Sequence, residues 1–144
     1  MPTENPKRIH LAGSGRHEEI RAGGAITPGD LCARNSSGQA IVHGVGGGAA
    51  EKLFALEDAL QGNTITDNYA SSDLASFVHA QPGDHIYAWL AAGESVDPSD
   101  FLSSNGDGTL KEATSTDVRL AAPLETVDNS DSGAVDVRIK VAVL

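Results

Sequence analysis

The sequence predicts an all-β fold, and three observations predict it. Pro-Gly-Asp turn signals recur along the chain, the C-terminal run alternates apolar with polar side chains, and 16 Gly accompany only six aromatic residues. Such a composition builds an interior from small aliphatic side chains joined by many turns. With 144 residues, 40% of them apolar, the chain has the length of one domain. A folded chain of this mass exposes about 7,000 Å² of the roughly 21,000 Å² of its extended form, enough burial for a core without disulfides or metals.

Residues 1–20 read as an N-terminal arm on a single β domain of residues 21–144. Two prolines, the Gly13-Ser14-Gly15 run and a concentration of cations (Lys7, Arg8, Arg16 and, one step beyond, Arg21) suit a segment that does not pack on itself. Ile9 and Leu11 alternate around His10, the pattern of a short strand that pairs with something else. The segment is locally basic on an acidic protein. It is either a docking element, meeting a partner through Lys7, Arg8, Ile9, Leu11, Arg16 and Arg21, or a frayed terminus.

From residue 22 onward a turn recurs: Thr27-Pro28-Gly29-Asp30, Gln81-Pro82-Gly83-Asp84 and, more loosely, Asp97-Pro98-Ser99-Asp100. Proline presets φ, glycine supplies the positive φ of a type II turn, and aspartate bonds its own backbone. Each turn precedes a strand signal: Leu31-Cys32-Ala33, then Ile86-Tyr87-Ala88-Trp89-Leu90, then Phe101-Leu102. In the second, both alternating faces are apolar, so both are covered. Further strand signals lie at 39–43, ahead of the glycine-rich loop 44–48, and at 118–122. At 134–144, Val135, Val137, Ile139, Val141 and Val143 share one face. Propensity makes 51–62 a helix closed by Gly62.

The charge excludes partners. Twenty acidic against ten basic side chains give −10, with a pI near 4.7. A field of that sign repels phosphate, so nucleic acid and anionic membranes are excluded as partners. Cys32 has no internal disulfide partner and reads as a buried structural thiol. The first residues lack the apolar core of a signal peptide and no long apolar run exists, so synthesis and residence in a cytoplasm are expected.

Candidate chemistry is sparse. Ser103-Ser104-Asn105-Gly106-Asp107-Gly108-Thr109-Leu110 overlays part of a calcium loop, but its twelfth position is Thr114 where a bidentate Glu is needed, so a tight hairpin is expected instead. The histidines, at 10, 17, 43, 79 and 85, show no zinc spacing. Nucleophile-elbow, P-loop and dinucleotide signatures are missing, and the Glu57-Asp58 pair reads as a solvated face. No catalytic residue, metal ligand or cofactor is expected.

The series Phe54-Ala55-Leu56-Glu57-Asp58-Ala59-Leu60-Gln61-Gly62, then Ile65-Thr66-Asp67-Asn68-Tyr69 and Pro82-Gly83-Asp84-His85-Ile86-Tyr87-Ala88, is familiar as a set. With Leu90-Ala91-Ala92-Gly93-Glu94, the stretch from Asp100 through the Ser104-Asn105-Gly106-Asp107-Gly108-Thr109-Leu110 turn, and the closing Glu125-Thr126-Val127-Asp128 and Val137-Arg138-Ile139-Lys140-Val141, it resembles tailed-bacteriophage capsid decoration, or cement, proteins. The resemblance spans residues 22–144 and leaves the N-terminal segment uncovered. It implies an all-β body, a small β-barrel or β-sandwich, that trimerises on the outside of the virion head, reaches neighbouring subunits with an arm and stabilises the lattice of the major capsid protein. It also implies a strand at 54–57 followed by an excursion over 58–68, against propensity. Two other classes remain. A saccharide-binding module would stack sugars on Trp89, Tyr87 or Tyr69, and a small trimeric enzyme would gather Asp67, Asp73 or His79 in a cleft between subunits.

Overall fold

The computed structural model describes residues 5–144. It is all-β, with no α-helix among the described residues. The strands are β1 (His10–Ala12), β2 (Arg16–Arg21), β3 (Leu31–Arg34), β4 (Ala40–Val42), β5 (Leu53–Ala55), β6 (Leu74–His79), β7 (His85–Leu90), β8 (Ser95–Val96), β9 (Leu102–Ser104), β10 (Leu110–Glu112), β11 (Ala121–Pro123), β12 (Val127–Asp128) and β13 (Val137–Val143). Strands β7, β10, β9, β11 and β13 form a closed five-stranded barrel, because β13 returns to pair antiparallel with β7 from Val137↔Leu90 to Ala142↔His85. Alternation fills it: Ile86, Ala88 and Leu90 from β7 and Ile139, Val141 and Val143 from β13 point inward and are buried. Each large aliphatic side chain so buried contributes about 1.5–3 kcal/mol.

A second sheet, all antiparallel in the order β2, β6, β5, β3, β4, packs beside the barrel. It curls until Ala22 meets Ala40 in a bridge, and the Gly23 N–H donates to Ala40 O at 2.7 Å. Over its central strands both faces are buried, and β5 is buried throughout. Cys32, Leu53, Ala55 and Phe77 fill the hollow of the curl, whereas Leu31, Phe54 and Val78 join the barrel's core. One alternating strand set therefore serves two cores. Cys32 is the buried thiol that the sequence predicts, and burial pushes that thiol up.

Three expectations are corrected. Residues 1–4 lie outside the described residues, but the rest of the expected arm belongs to the body: β1 pairs with β7, β2 pairs with β6 along its full length, and the boundary drawn at 20/21 cuts β2. The physical reason is Ile9, whose side chain is fully buried in the barrel's core while Tyr87 N–H donates to its carbonyl at 2.8 Å. The helix expected at 51–62 is instead β5 plus one 3-10 turn, Ala59–Gln61, capped by Gly62 in the left-handed conformation. Lys52 itself has φ 57°, which no helix passes through. The strand signal at 118–122 is realised later, as β11.

The recurring turn is chemically uniform. In each of Thr27-Pro28-Gly29-Asp30, Gln81-Pro82-Gly83-Asp84 and Asp97-Pro98-Ser99-Asp100, the aspartate N–H donates to the first residue's carbonyl and its carboxylate accepts the first residue's N–H. Asp67, Asp73 and Asp117 close three more turns in the same way, without proline or glycine.

Candidate partner-binding face

The six residues expected to meet a partner do not form one patch. Lys7 and Arg8 are exposed, as are Arg16 and Arg21 at opposite ends of β2. Ile9 is fully buried and Leu11 packs partly against the barrel's core, so both anchor the segment to its own body and Ile9 is withdrawn from any partner. Arg21 Nη1 donates to Ser72 O at 3.0 Å, and Arg16 approaches Glu18 at 3.9 Å. Lys7 and Arg8 remain the cations that lie on a groove.

That groove was not foreseen. It has a volume of about 700 Å³ and runs between residues 8–13, β2 and the segment 56–60, with Leu11, Leu56 and Leu60 among its walls. A second, apolar hollow of about 660 Å³ continues it past Arg8 to Ile65 and Thr66. Leu60 stands on its lip with 97% of its surface exposed. It lies in the 3-10 turn Ala59–Gln61, none of whose residues is buried and which Gly62 ends in the left-handed conformation.

Asp84 ties the face together. Its buried carboxylate accepts N–H bonds from Ser14 (3.1 Å), Gly15 (2.9 Å) and Gln81 (3.1 Å), so it closes its own turn and also holds the β1–β2 connection. His10 sits between Asp84, 3.5 Å from its Nε2, and His17, whose Nε2 lies 2.9 Å from His10 Nδ1. At the rim of the curled sheet Glu18 bonds His79 and takes Arg34 Nη2 at 3.0 Å. Those bonds, His79 first and Arg34 second, hold its carboxyl below the usual range. Arg34 also reaches Glu51 at 3.3 Å, and Glu18 in turn raises the guanidinium. These charges close one end of the hollow over Phe77 and Cys32.

The backbone of β2 offers a further feature. Ala22 N–H donates toward β6, to Asp73 O, whereas Gly23 N–H donates the other way, to Ala40 O. Alternation then turns the N–H and C=O of His17, Glu19 and Arg21 away from β6. At the Arg21 end the Ala22–Ala40 bridge closes this side onto β4, whereas alongside His17 and Glu19 no other described strand pairs with β2. The strand is an open edge at His17 and Glu19, beside the groove.

The other candidate residues are engaged locally. Tyr69 is buried and its hydroxyl donates to Leu56 O at 2.6 Å, Tyr87 is buried, and Trp89 carries the Arg138 guanidinium 4.2 Å above its ring. Arg138 and Trp89 Nε1 both donate to Pro28 O. Asp67 and Asp73 close their own turns, and His79 bonds Glu18. At the β9–β10 hairpin the Asp107 carboxylate accepts from the Thr109 N–H and hydroxyl and from Asn105, so the loop satisfies itself. Burial pushes the Asp107 carboxyl up, but the bonds from Thr109 and Asn105 outweigh it and hold it below the usual range. Among the described residues no group of three or more His, Cys, Asp and Glu side chains is placed to hold a metal ion, and no helix is long and apolar enough to cross a membrane. No family model matches the chain, and no curated protein matches it.

Proposed function

We propose that the protein is a structural virion component, a decoration protein that binds the outside of a phage capsid as a homotrimer and stabilises the lattice of the major capsid protein. Its residence is then the capsid exterior, after synthesis in the host cytoplasm. The observation that carries the reading is the flank made by residues 5–21. It sets an open strand edge, the backbone of His17 and Glu19, next to the cations Lys7 and Arg8 and the bare Leu60. An open edge beside an exposed leucine invites association, and a protein that works as a lone monomer gains by covering such a feature. Many copies on a shell multiply contacts of modest strength, and three linked copies engage together. The resemblance over residues 22–144 supplies the kind of partner.

The test is addition of purified protein to bare expanded capsids at physiological salt. Binding saturates at a fixed number of threefold sites and raises the capsid's resistance to heat. Failure to bind at micromolar concentration refutes the proposal.

A further inference from the structure

The Asn105-Gly106 hairpin holds chemistry that a capsid-binding role leaves unused. Asn105 is exposed, and the residue after it has no side chain to shield its nitrogen. The Gly106 N–H donates to Ser104 Oγ at 3.1 Å. Ser104 Oγ in turn lies 2.7 Å from His43 Nδ1, and His43 Nε2 lies 2.9 Å from Ala49 O. A carbonyl only accepts, so Nε2 carries a proton, and in the neutral ring Nδ1 is then the acceptor for the Ser104 hydroxyl. Ser104 is fully buried and His43 nearly so. The pair therefore faces no substrate from solution. Its free end faces a backbone nitrogen of its own chain. Asn105 Nδ2 is held by both Asp107 carboxylate oxygens at 3.3 Å, which keeps the side-chain amide over the turn.

We propose that Asn105 is a site of self-catalysed deamidation, in which the Gly106 nitrogen, assisted by Ser104 and His43, closes a succinimide on the Asn105 side chain. The Gly106 proton passes to Ser104 Oγ as the Ser104 proton passes to His43 Nδ1. The nitrogen bonds to Asn105 Cγ, the Cγ–Nδ2 bond breaks, and the side-chain nitrogen takes the proton back and leaves as ammonia. Solvent water then opens the imide at either carbonyl, leaving an aspartyl or isoaspartyl residue at position 105 and one added negative charge. The isoaspartyl form lengthens the main chain of a turn already packed on Gly46, where a Cβ on Gly106 would lie 3.0 Å from the Gly46 nitrogen. The Gly47 N–H to Ser104 O bond is the first contact at risk.

The test compares the intact protein with the same protein unfolded in denaturant at matched pH and temperature, reading position 105 by peptide mass mapping and isoaspartyl methylation. Position 105 converts faster in the folded chain by about tenfold or more, a modest share of what a positioned base supplies. The H43Q variant, checked for a native thermal transition, drops to the unfolded rate, and S104A does the same if H43Q fails to fold. Asn129, followed by Ser130, is the internal reference. Equal or slower conversion in the folded protein overturns the proposal, as does an unchanged rate in a folded H43Q or S104A variant. Isomerisation at Asp107 exchanges no NH2 for OH, so mass separates the two sites.

Discussion

Replacing Asp84 by alanine tests whether one carboxylate holds the N-terminal strands to the body. Asp84 accepts three backbone N–H groups from two segments of the chain, and it is 2% exposed. A hydrogen bond to a charged group contributes about 1.5–3 kcal/mol. All three bonds are only partly buried, so water recovers some of each on truncation, and about 1 kcal/mol per bond remains. The sum, about 3 kcal/mol, lowers the melting temperature by about 10 °C in a chain of this size. Asp67 closes a turn with the same two bonds but stands in water, so Asp67→Ala shifts the transition by only about 2 °C. Asp84→Asn is not a mild substitute. Ser14 donates to one carboxylate oxygen while Gly15 and Gln81 donate to the other, so whichever end becomes NH2 meets an N–H. Calorimetric scans of the three variants, with amide exchange at Ser14 and Gly15, read the effect. Equal shifts for Asp84→Ala and Asp67→Ala would refute the claim that burial and the second segment set the cost.

Burial pushes the Asp30 carboxyl up to about 6, against the bond from Thr27. A folded value above the unfolded one means the group's stabilising contribution is present below the unfolded value and is lost as pH rises through about 6, so Asp30→Asn reduces the stability difference between about pH 4 and about pH 7 by about 2–3 kcal/mol in denaturant titrations. Glu19→Pro removes an N–H that faces away from β6, so the melting temperature stays within about 3 °C while capsid occupancy falls; unchanged occupancy removes the β2 edge from the interface. Leu60→Ser leaves stability within about 0.5 kcal/mol because the side chain is already in water, and weakens capsid binding by about tenfold if that leucine is buried there. A sedimentation assay with bare capsids reads the last two.

What the sequence disclosed followed from how local each signal is. The turns ending in Asp30, Asp84 and Asp100 were legible because proline fixes their φ in the residues themselves. Those ending in Asp67, Asp73 and Asp117 use the same bonds and were not, since Thr-Ile-Thr-Asp, Ala-Ser-Ser-Asp and Thr-Ser-Thr-Asp carry no conformational lock. β13 announced itself through alternation against one buried face. β2 could not: of Arg16-His17-Glu18-Glu19-Ile20-Arg21 only Ile20 is buried, and the rest of its inner face is a set of ion pairs over the hollow. The segment 51–62 misled because its residues favour a helix in isolation, whereas all three residues of β5 are buried between two cores, a fact of tertiary packing that propensity does not contain. The candidate face was half legible for a related reason. The cations of the N-terminal segment are visible in one dimension, but the groove and its leucine lip exist only after Ile9 is buried and β2 is paired.

The negative charge acquires a cause in this arrangement. Ten of the twelve aspartates accept a backbone N–H, six by closing a four-residue turn and the others at Asp97, Asp107, Asp128 and Asp136. Six of the strands are only three residues long, too short to fix their own register by pairing. A carboxylate that locks a turn fixes where the next strand begins, and it does so without the aromatic bulk this chain lacks. Acidity here is the cost of specifying short strands by their ends. An acidic body of this kind repels its own copies at a distance, so the few exposed cations beside the groove, Lys7 and Arg8, carry a weight in association that their number alone does not suggest.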